Sequence, residues 1–304
     1  MEKPKNDKAG TLSILRLSGT IIAVGLLVWL LAKQDWTVIW TQLSKLPVWI
    51  IITAFLLYLV GQVLNAWRWH MLLKAQDVDI QFRQTIRIVF AGAFASNFLP
   101  TTIGGDVLRL VSINAYTGNQ GMSLASLVLD RLVNLAAFIT VTPFSVTVLL
   151  VHPSTVMMQS VGFTFPLLTK LRSWLAKFLH EFLYAYKLWA NKPAYLIQTF
   201  VISWFSIFVI FLALWLMANG LGIAVRLDQV MGITAMTYLI TLLPISINGY
   251  GLRELVITYF YMRLGATAEQ AAIFALLSRF LLMAATLPGT IWLGNLRIKI
   301  KKSQ

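Results

Sequence analysis

One stretch of this chain occurs twice, since residues 98–109 read FLPTTIGGDVLR and residues 242–253 read LLPISINGYGLR. When Pro100 is aligned with Pro244, several later positions coincide as well. The coinciding pairs are Ile103 with Ile247, Gly105 with Gly249, Leu108 with Leu252, and Arg109 with Arg253. Two Pro/Gly-broken segments at corresponding places in the halves of an apolar chain are typical of a transporter site within a membrane.

Each copy of the pattern is followed by a second arginine within an apolar run, Arg131 in LVLDRLVNLAAF and Arg279 in FALLSRFLLMAA. Proline stops a helix, and paired glycines permit backbone angles that are closed to other residues. Irregular backbone survives inside a bilayer only where protein or a water-filled cavity satisfies its polar groups. The sequence therefore predicts short half-helices that meet beside a cavity.

The composition excludes a soluble globular protein. The chain has 304 residues, of which 58% are apolar and 12% charged, and its mean hydropathy is +0.76. Soluble proteins have roughly 25% charged residues. We predict an all-α, polytopic integral membrane bundle with two pseudo-repeated halves, each with a Pro/Gly-broken helix pair that is re-entrant or fully crossing. There is no cysteine and the three histidines are far apart, so we expect no metal and no cofactor.

Uninterrupted apolar runs mark the predicted spans, because a helix needs about 20 such residues to cross a bilayer. The spans are 12–32, 47–67, 123–151, 194–218 and 271–293, and the broken segments are 84–115 and 228–264. The predicted parts are a basic tail (1–11), a membrane domain (12–295) with halves 47–151 and 194–295, an amphipathic surface linker (152–193) and a second basic tail (296–304). Thr267 with Gln270 predicts a capping box before the last span.

Basic residues indicate the orientation. Both tails are rich in lysine or arginine, which favours a cytoplasmic location for the two termini, and residues 68–87 also look cytoplasmic. Trp36, Trp40, Trp67 and Trp69 are typical of an aromatic belt at span ends. Six crossings with two re-entrant hairpins and eight crossings both remain open, as does an inverted or a parallel repeat.

Charged residues inside apolar segments are the candidate functional groups, because such charges are costly in a membrane. They are Asp106, Arg109, Asp130, Arg131, Arg253, Glu254 and Arg279. Asp106 and Arg109 are three residues apart, so they share a helix face and can pair. Adjacent charges, as in Asp130 with Arg131, point in different directions, and we expect each to pair with another segment. The structural alternative is that all of them form ion pairs or extend to the membrane surface.

Arginine suits a phosphate ligand, because its planar fork donates two hydrogen bonds and keeps its charge. Two motif copies around a pseudo-two-fold axis would bring four arginines into one cavity with few counter-charges. Neutral donors would come from Thr101, Thr102, Ser246 and Asn248, with Asn97 and Asn134 as further polar residues. This pattern predicts a binding site for a phospholipid or another lipid-linked phosphate headgroup.

Three of these motifs together, NFLPTTIGGDVLRL, LVLDRLVNLAAF and LPISINGYGLREL, resemble the membrane region of lysylphosphatidylglycerol synthases, also called the flippase-like domain. The resemblance covers about residues 12–295. In bifunctional members a soluble domain transfers lysine to phosphatidylglycerol, and the membrane region moves the product between leaflets. This chain ends at Gln304, so we expect lipid handling without aminoacyl transfer.

The family pattern falls on Asn97, Pro100, Gly104, Gly105, Asp106, Arg109, Asp130, Arg131, Pro244, Ser246, Asn248, Gly249, Gly251, Arg253 and Glu254. The predicted substrate-binding residues are those of this family pattern except Pro100 and Pro244, with Thr102 and Arg279 added. We predict no catalytic residue.

The leading function hypothesis is a lipid translocase of the cytoplasmic membrane that binds an anionic phospholipid or a lipid-linked phosphate. One alternative is a membrane enzyme or enzyme subunit, with Asp106, Asp130 and Glu254 as acid–base groups. Another is a scaffold that acts through the linker. Expected partners are membrane lipids, with an enzyme of lipid or cell-envelope biosynthesis as a further candidate. Nucleic acid is not expected, because the basic residues flank spans instead of lining a soluble face.

Overall fold

The structure is a computed structural model that describes residues 44, 46–98, 104–145, 191–242 and 249–293. The predicted first span (12–32), both tails and nearly all of the linker 152–193 lie outside these residues. So do Pro100, Thr101, Thr102, Pro244, Ser246 and Asn248.

Every regular element in the described ranges is helical, as the apolar composition predicted. In chain order the helices are α1 (Val48–Lys74), α2 (Phe82–Phe98), α3 (Gly104–Thr117), α4 (Gln120–Val141), α5 (Pro193–Gly220), α6 (Leu227–Leu242), α7 (Leu252–Arg263), α8 (Ala268–Thr286) and α9 (Gly289–Leu293). A 3₁₀ turn, Thr142–Phe144, extends α4.

Four helical stretches in the described part of the chain are long and apolar enough to cross a membrane. They are Val48–Lys74, Gln120–Phe144, Pro193–Gly220 and Ala268–Leu293. Large apolar side chains such as Phe205 and Phe280 remain 62% and 66% exposed, as expected of a surface that faces lipid. The all-α polytopic prediction is thus confirmed.

Each broken segment forms two short helices instead of one span. In the first, α2 has 17 residues and α3 has 14. In the second, α6 has 16 and α7 has 12, and the backbone before α7 has positive φ at Gly249 (70°) and Gly251 (76°). Only glycine adopts such angles without strain, so the NGYG sequence fixes where α7 begins.

The longest two described helices, α1 and α5, pack antiparallel and share the most extensive interface. Ile50 near the start of α1 lies against Gly220 at the end of α5, while the Ser206 hydroxyl donates to the Gly61 carbonyl (3.2 Å) near the middle. One apolar cluster joins the first half of α1 to α5, α6, α7 and α8. A second joins the last turns of α1 to α2, α3 and α4.

The α2–α3 hairpin is unusually close because glycines face each other across it. A Cβ atom on Gly105 would lie 2.2 Å from the Gly92 carbonyl oxygen and 1.9 Å from the Ser96 hydroxyl oxygen. On the other side of α2, Gly289 approaches the Phe90 carbonyl in the same way. The glycines therefore let α2 pack closely against α3 on one side and against α9 on the other.

The predicted capping box is present at the start of α8. Thr267 accepts from the Gln270 amide (3.2 Å), and the Gln270 side chain accepts from the Thr267 amide (3.0 Å).

Candidate functional site

Asp130 on α4 lies at the centre of a buried ion-pair network. Its Oδ1 accepts from Nε of Arg68 (2.8 Å), and its Oδ2 accepts from a terminal nitrogen of Arg109 (2.9 Å). Asp130 is 3% exposed and Arg68 is 5% exposed. One carboxylate thus bridges α1 and α3, and because it balances two arginines the network has a positive charge.

Arg68 is held rigidly by further acceptors. One terminal nitrogen donates to Asn134 Oδ1 (2.8 Å) on α4 and to the Ser203 hydroxyl (3.3 Å) on α5. The Asn134 amide in turn donates to the Tyr238 hydroxyl (3.4 Å) on α6. Because these helices all contribute a partner, the Arg68 guanidinium is fixed in place.

Arg109 is less completely satisfied. Its guanidinium carbon lies 4.3 Å from the ring centre of Trp69, a cation–π contact with a fully buried side chain. Its Nε is buried but has no hydrogen-bond acceptor among the residues that the structure describes. Arginine has five N–H donors, so Arg109 keeps donor capacity for a ligand.

The second ion pair, between Arg131 and Asp106, is more exposed. Arg131 donates to Asp106 Oδ2, and the side chains are 60% and 27% exposed. This pair crosses from α4 to α3 just as Arg109–Asp130 does. Asp106 and Arg109, which share a face of α3, therefore each meet a different residue of α4, and Asp130 and Arg131 each pair outside their own helix, as expected.

These side chains surround a cavity of about 290 Å³. Its polar lining consists of Gln62, Asn65, Arg68, Ser96, Asp106, Arg109, Asp130, Arg131, Asn134 and Ser206. Three arginines face two carboxylates, which leaves one net positive charge. The volume is near the lower end of small-molecule sites, about 300–1,000 Å³, so it suits a headgroup and not acyl chains.

A second charged cluster lies where α7 meets α8. Nε of Arg279 is 3.6 Å from Glu254 Oε1, and the Arg279 guanidinium carbon lies 4.2 Å from the ring centre of Tyr250. The Tyr250 hydroxyl donates to the backbone carbonyl of Asn97 at the end of α2. Arg253, the neighbour of Glu254 in sequence, interacts with the Tyr58 hydroxyl on α1.

The sequence matches a known family along most of its length. The family model of the lysylphosphatidylglycerol synthase TM region matches residues 16–289. The chain belongs to this family.

Two archaeal proteins are similar to this family member. A UPF0104 membrane protein of Pyrococcus horikoshii is 29% identical over 87 residues, which is 28% of this chain and 26% of that protein. A UPF0104 membrane protein of Methanocaldococcus jannaschii is 22% identical over 270 residues, covering 75% of this chain and 79% of that protein. The chain thus spans about a quarter of the first relative and most of the second.

Of the residues implied by the family pattern, four line the cavity together. They are Asp106, Arg109, Asp130 and Arg131. Gly104 begins α3, and Gly105 lies beside these residues in the α2–α3 contact. Asn97, at the end of α2, donates to the Thr286 hydroxyl (3.4 Å) on α8. Gly249, Gly251, Arg253, Glu254 and Arg279 belong to the segment around α7 and α8 and are not among the lining residues of this cavity. Their role in substrate binding stays a prediction.

Two features of α1 differ from the expectation. The sequence predicts that Arg68 flanks the span and that Trp69 lies at the membrane interface, whereas both side chains are buried in the bundle, because α1 continues to Lys74. A signal was present in the sequence: Gln62, Asn65 and Arg68 follow one another at intervals of three within an apolar run. Such spacing indicates a polar helix face directed at a partner.

Proposed function

We propose that this family member moves a lipid with a phosphate headgroup between the leaflets of the cytoplasmic membrane, with both termini in the cytoplasm. The headgroup binds in the cavity beside Arg109 and Arg131, while the acyl chains remain in the surrounding lipid. The ligand is an anionic phospholipid or a lipid-linked phosphate. An enzyme of lipid or cell-envelope biosynthesis is a candidate partner that supplies or consumes it.

The observation that carries the proposal is the state of Arg109. Asp130 and Trp69 fix the guanidinium on two sides, and yet its buried Nε–H has no acceptor among the described residues. A buried donor without an acceptor is costly, so a shift of the Arg109 side chain that brings this N–H to a phosphate oxygen in the cavity would be stabilised. The net positive charge of the lining adds a favourable electrostatic attraction for an anion.

Arg131 suits the entry of the cavity. Its side chain is 60% exposed and its partner Asp106 is 27% exposed, so this pair separates at lower cost than the buried Arg68–Asp130 pair. A headgroup that reaches the cavity exchanges the Asp106 contact for a phosphate contact. Arg109 then receives the phosphate deeper in the site.

The proposed translocation step uses a movement of the two broken segments. We treat them as an internal repeat whose short helices shift against each other and open the cavity to one leaflet at a time, as in transporters built from repeats. Their direct contact through Tyr250 and Asn97 gives such a motion a mechanical connection.

The cavity favours binding over acid–base catalysis. Both lining carboxylates, Asp106 and Asp130, accept hydrogen bonds from arginines. Guanidinium donors therefore already occupy oxygens of both carboxylates. The enzyme alternative would need a carboxyl group near the substrate without such a cation.

The test is lipid translocation in proteoliposomes, with a fluorescent short-chain phosphatidylglycerol whose outer-leaflet fraction is destroyed by a membrane-impermeant reductant. We expect Arg109→Gln to slow translocation by about tenfold or more, the effect of losing about 1.4 kcal/mol of interaction with the headgroup. The matched control is Arg226→Gln, which removes an exposed arginine paired with Asp228 outside the cavity. Equal rates for wild type and Arg109→Gln would end the proposal.

A further inference from the structure

The Glu254 side chain is in an unusual environment for a carboxylate. It is 3% exposed, and neither of its oxygens accepts a hydrogen bond from any residue that the structure describes. The facing cation is Arg279 on α8, at 3.6 Å, which is an ion-pair distance without good hydrogen-bond geometry. Asp130, the buried carboxylate of the ion-pair network, instead accepts two charge-assisted hydrogen bonds of 2.8 and 2.9 Å. Glu254 is therefore much less well satisfied than Asp130.

Two hydroxyl-bearing residues lie on the same face of α7 as Glu254. Thr258 and Tyr261 are four and seven residues after Glu254, so they occupy the same face of α7. Tyr58 on α1 interacts with Tyr261. The Thr258 and Tyr261 hydroxyls are buried without a hydrogen-bond partner in the described part of the chain, which is costly for a purely structural core.

We infer that Glu254 is a proton-binding site and that its protonation drives the movement proposed above. In one state the charged carboxylate faces Arg279. In the other it has taken up one proton, so its negative charge is lost and Arg279 is no longer attracted to it. A buried carboxyl group that loses its cation takes up a proton rather than keep an uncompensated charge.

The groups around Glu254 support a proton over a metal cation. Arg279 faces it from α8, while α7 itself contributes Arg253 and Tyr261, α1 contributes Tyr58, and the preceding turn contributes Tyr250. On α6, Asp228 pairs with Arg226, and Tyr238 binds Asn134. A sodium ion at Glu254 would be a second localised cation beside the guanidinium group and would need several oxygen ligands, whereas a proton becomes part of the carboxyl group and needs none.

A chain of contacts connects this site to the cavity. The Arg279 guanidinium stacks on the Tyr250 ring, and the Tyr250 hydroxyl donates to the Asn97 carbonyl at the end of α2. The preceding turn of α2 contributes Ser96 and Ala93 to the cavity lining. When Arg279 moves away from Glu254, Tyr250 transmits the displacement to α2. This coupling rests on the proposed lipid transport, whereas proton binding by Glu254 does not.

The first experiment measures protonation directly, by infrared difference spectroscopy of the protein in lipid nanodiscs between neutral and acidic pH. We expect a band of a protonated buried carboxyl group that disappears in Glu254→Gln and remains in Glu269→Gln, a partly exposed carboxylate at the start of α8. Arg279→Gln should show the band already at neutral pH, and Glu254→Gln/Arg279→Gln should not. If the band persists in Glu254→Gln, the inference is wrong. Should Arg279→Gln fail to fold, the Glu254→Gln comparison decides alone.

The second experiment measures coupling in the proteoliposome assay. We expect a pH gradient to change the wild-type translocation rate several-fold and to leave the Glu254→Gln rate unchanged, while a sodium gradient affects neither. A response to sodium alone, or an equal pH response in both proteins, would overturn the coupling. If wild type moves no lipid under any gradient, the proposed function fails, and the infrared result still decides whether Glu254 binds the proton.

Discussion

The hydroxyl of Tyr250 donates a hydrogen bond to the backbone carbonyl of Asn97, 153 residues earlier in the chain. Tyr250 belongs to the second copy of the repeated sequence pattern, and Asn97 immediately precedes the first. The two broken segments are therefore in direct contact, and the contact uses a carbonyl at the end of α2. Such terminal carbonyls have no intrahelical partner and are good acceptors.

Tyr250→Phe tests the value of this contact. We expect the free energy of unfolding in detergent to fall by about 1 kcal/mol, because one hydrogen bond is lost while the ring that stacks on Arg279 is retained. The matched control is Tyr259→Phe, which removes the hydroxyl of an exposed tyrosine that accepts from Arg263. An equal effect of the two substitutions would show that the Tyr250 contact adds no stability.

Asp130→Asn should be among the most destabilising single substitutions in this protein. It leaves Arg68 and Arg109 in a buried site without their counter-charge, a situation that costs about 3–5 kcal/mol. The measurement is denaturant or thermal unfolding of the purified protein. Asp77→Asn is the control, since Asp77 is 86% exposed, pairs with Lys192 at the surface, and has a positive φ of 56° that asparagine tolerates. A loss below about 1 kcal/mol for Asp130→Asn would mean that the network is solvated.

Gly105→Ala tests the close packing of α2 against α3. The added methyl group would lie 2.2 Å from the Gly92 carbonyl oxygen, so the helices must separate, at a cost of about 1–3 kcal/mol. Gly121→Ala is the control, since its methyl group would meet only the flexible Asn119 side chain, at 3.3 Å. Unfolding curves that coincide for Gly105→Ala and wild type would contradict the close contact.

Thr267→Ala removes the hydroxyl of the capping box at the start of α8. We expect a loss of about 1 kcal/mol in unfolding free energy, because the Gln270 amide loses its acceptor. Thr267→Ser keeps the acceptor and should restore most of the stability. If serine and alanine behave alike at this position, the cap does not contribute.

The charge pairings show where the sequence was informative and where it was not. Local spacing predicted correctly that Asp130 and Arg131 pair outside their own helix, but both of them reach α3, although adjacent helical residues point in different directions. The same reasoning allowed an Asp106–Arg109 pair, yet the structure gives each of these residues a partner on α4. Sequence spacing describes one helix at a time, and across an interface the distance between two side chains depends on which helices pack.

The sequence by itself determined the class of this protein. Its apolar runs, its sparse charges and its Pro/Gly-broken segments require a helical membrane protein, because lipid leaves backbone polar groups no partner outside a helix. It also identified four of the charged residues that line the cavity. Only the tertiary structure decided that Arg68 is the fifth and that Arg253 and Arg279 lie elsewhere. The reason is physical: α1 places Arg68 beside Asp130, 62 residues away in sequence, through packing contacts that no local pattern encodes.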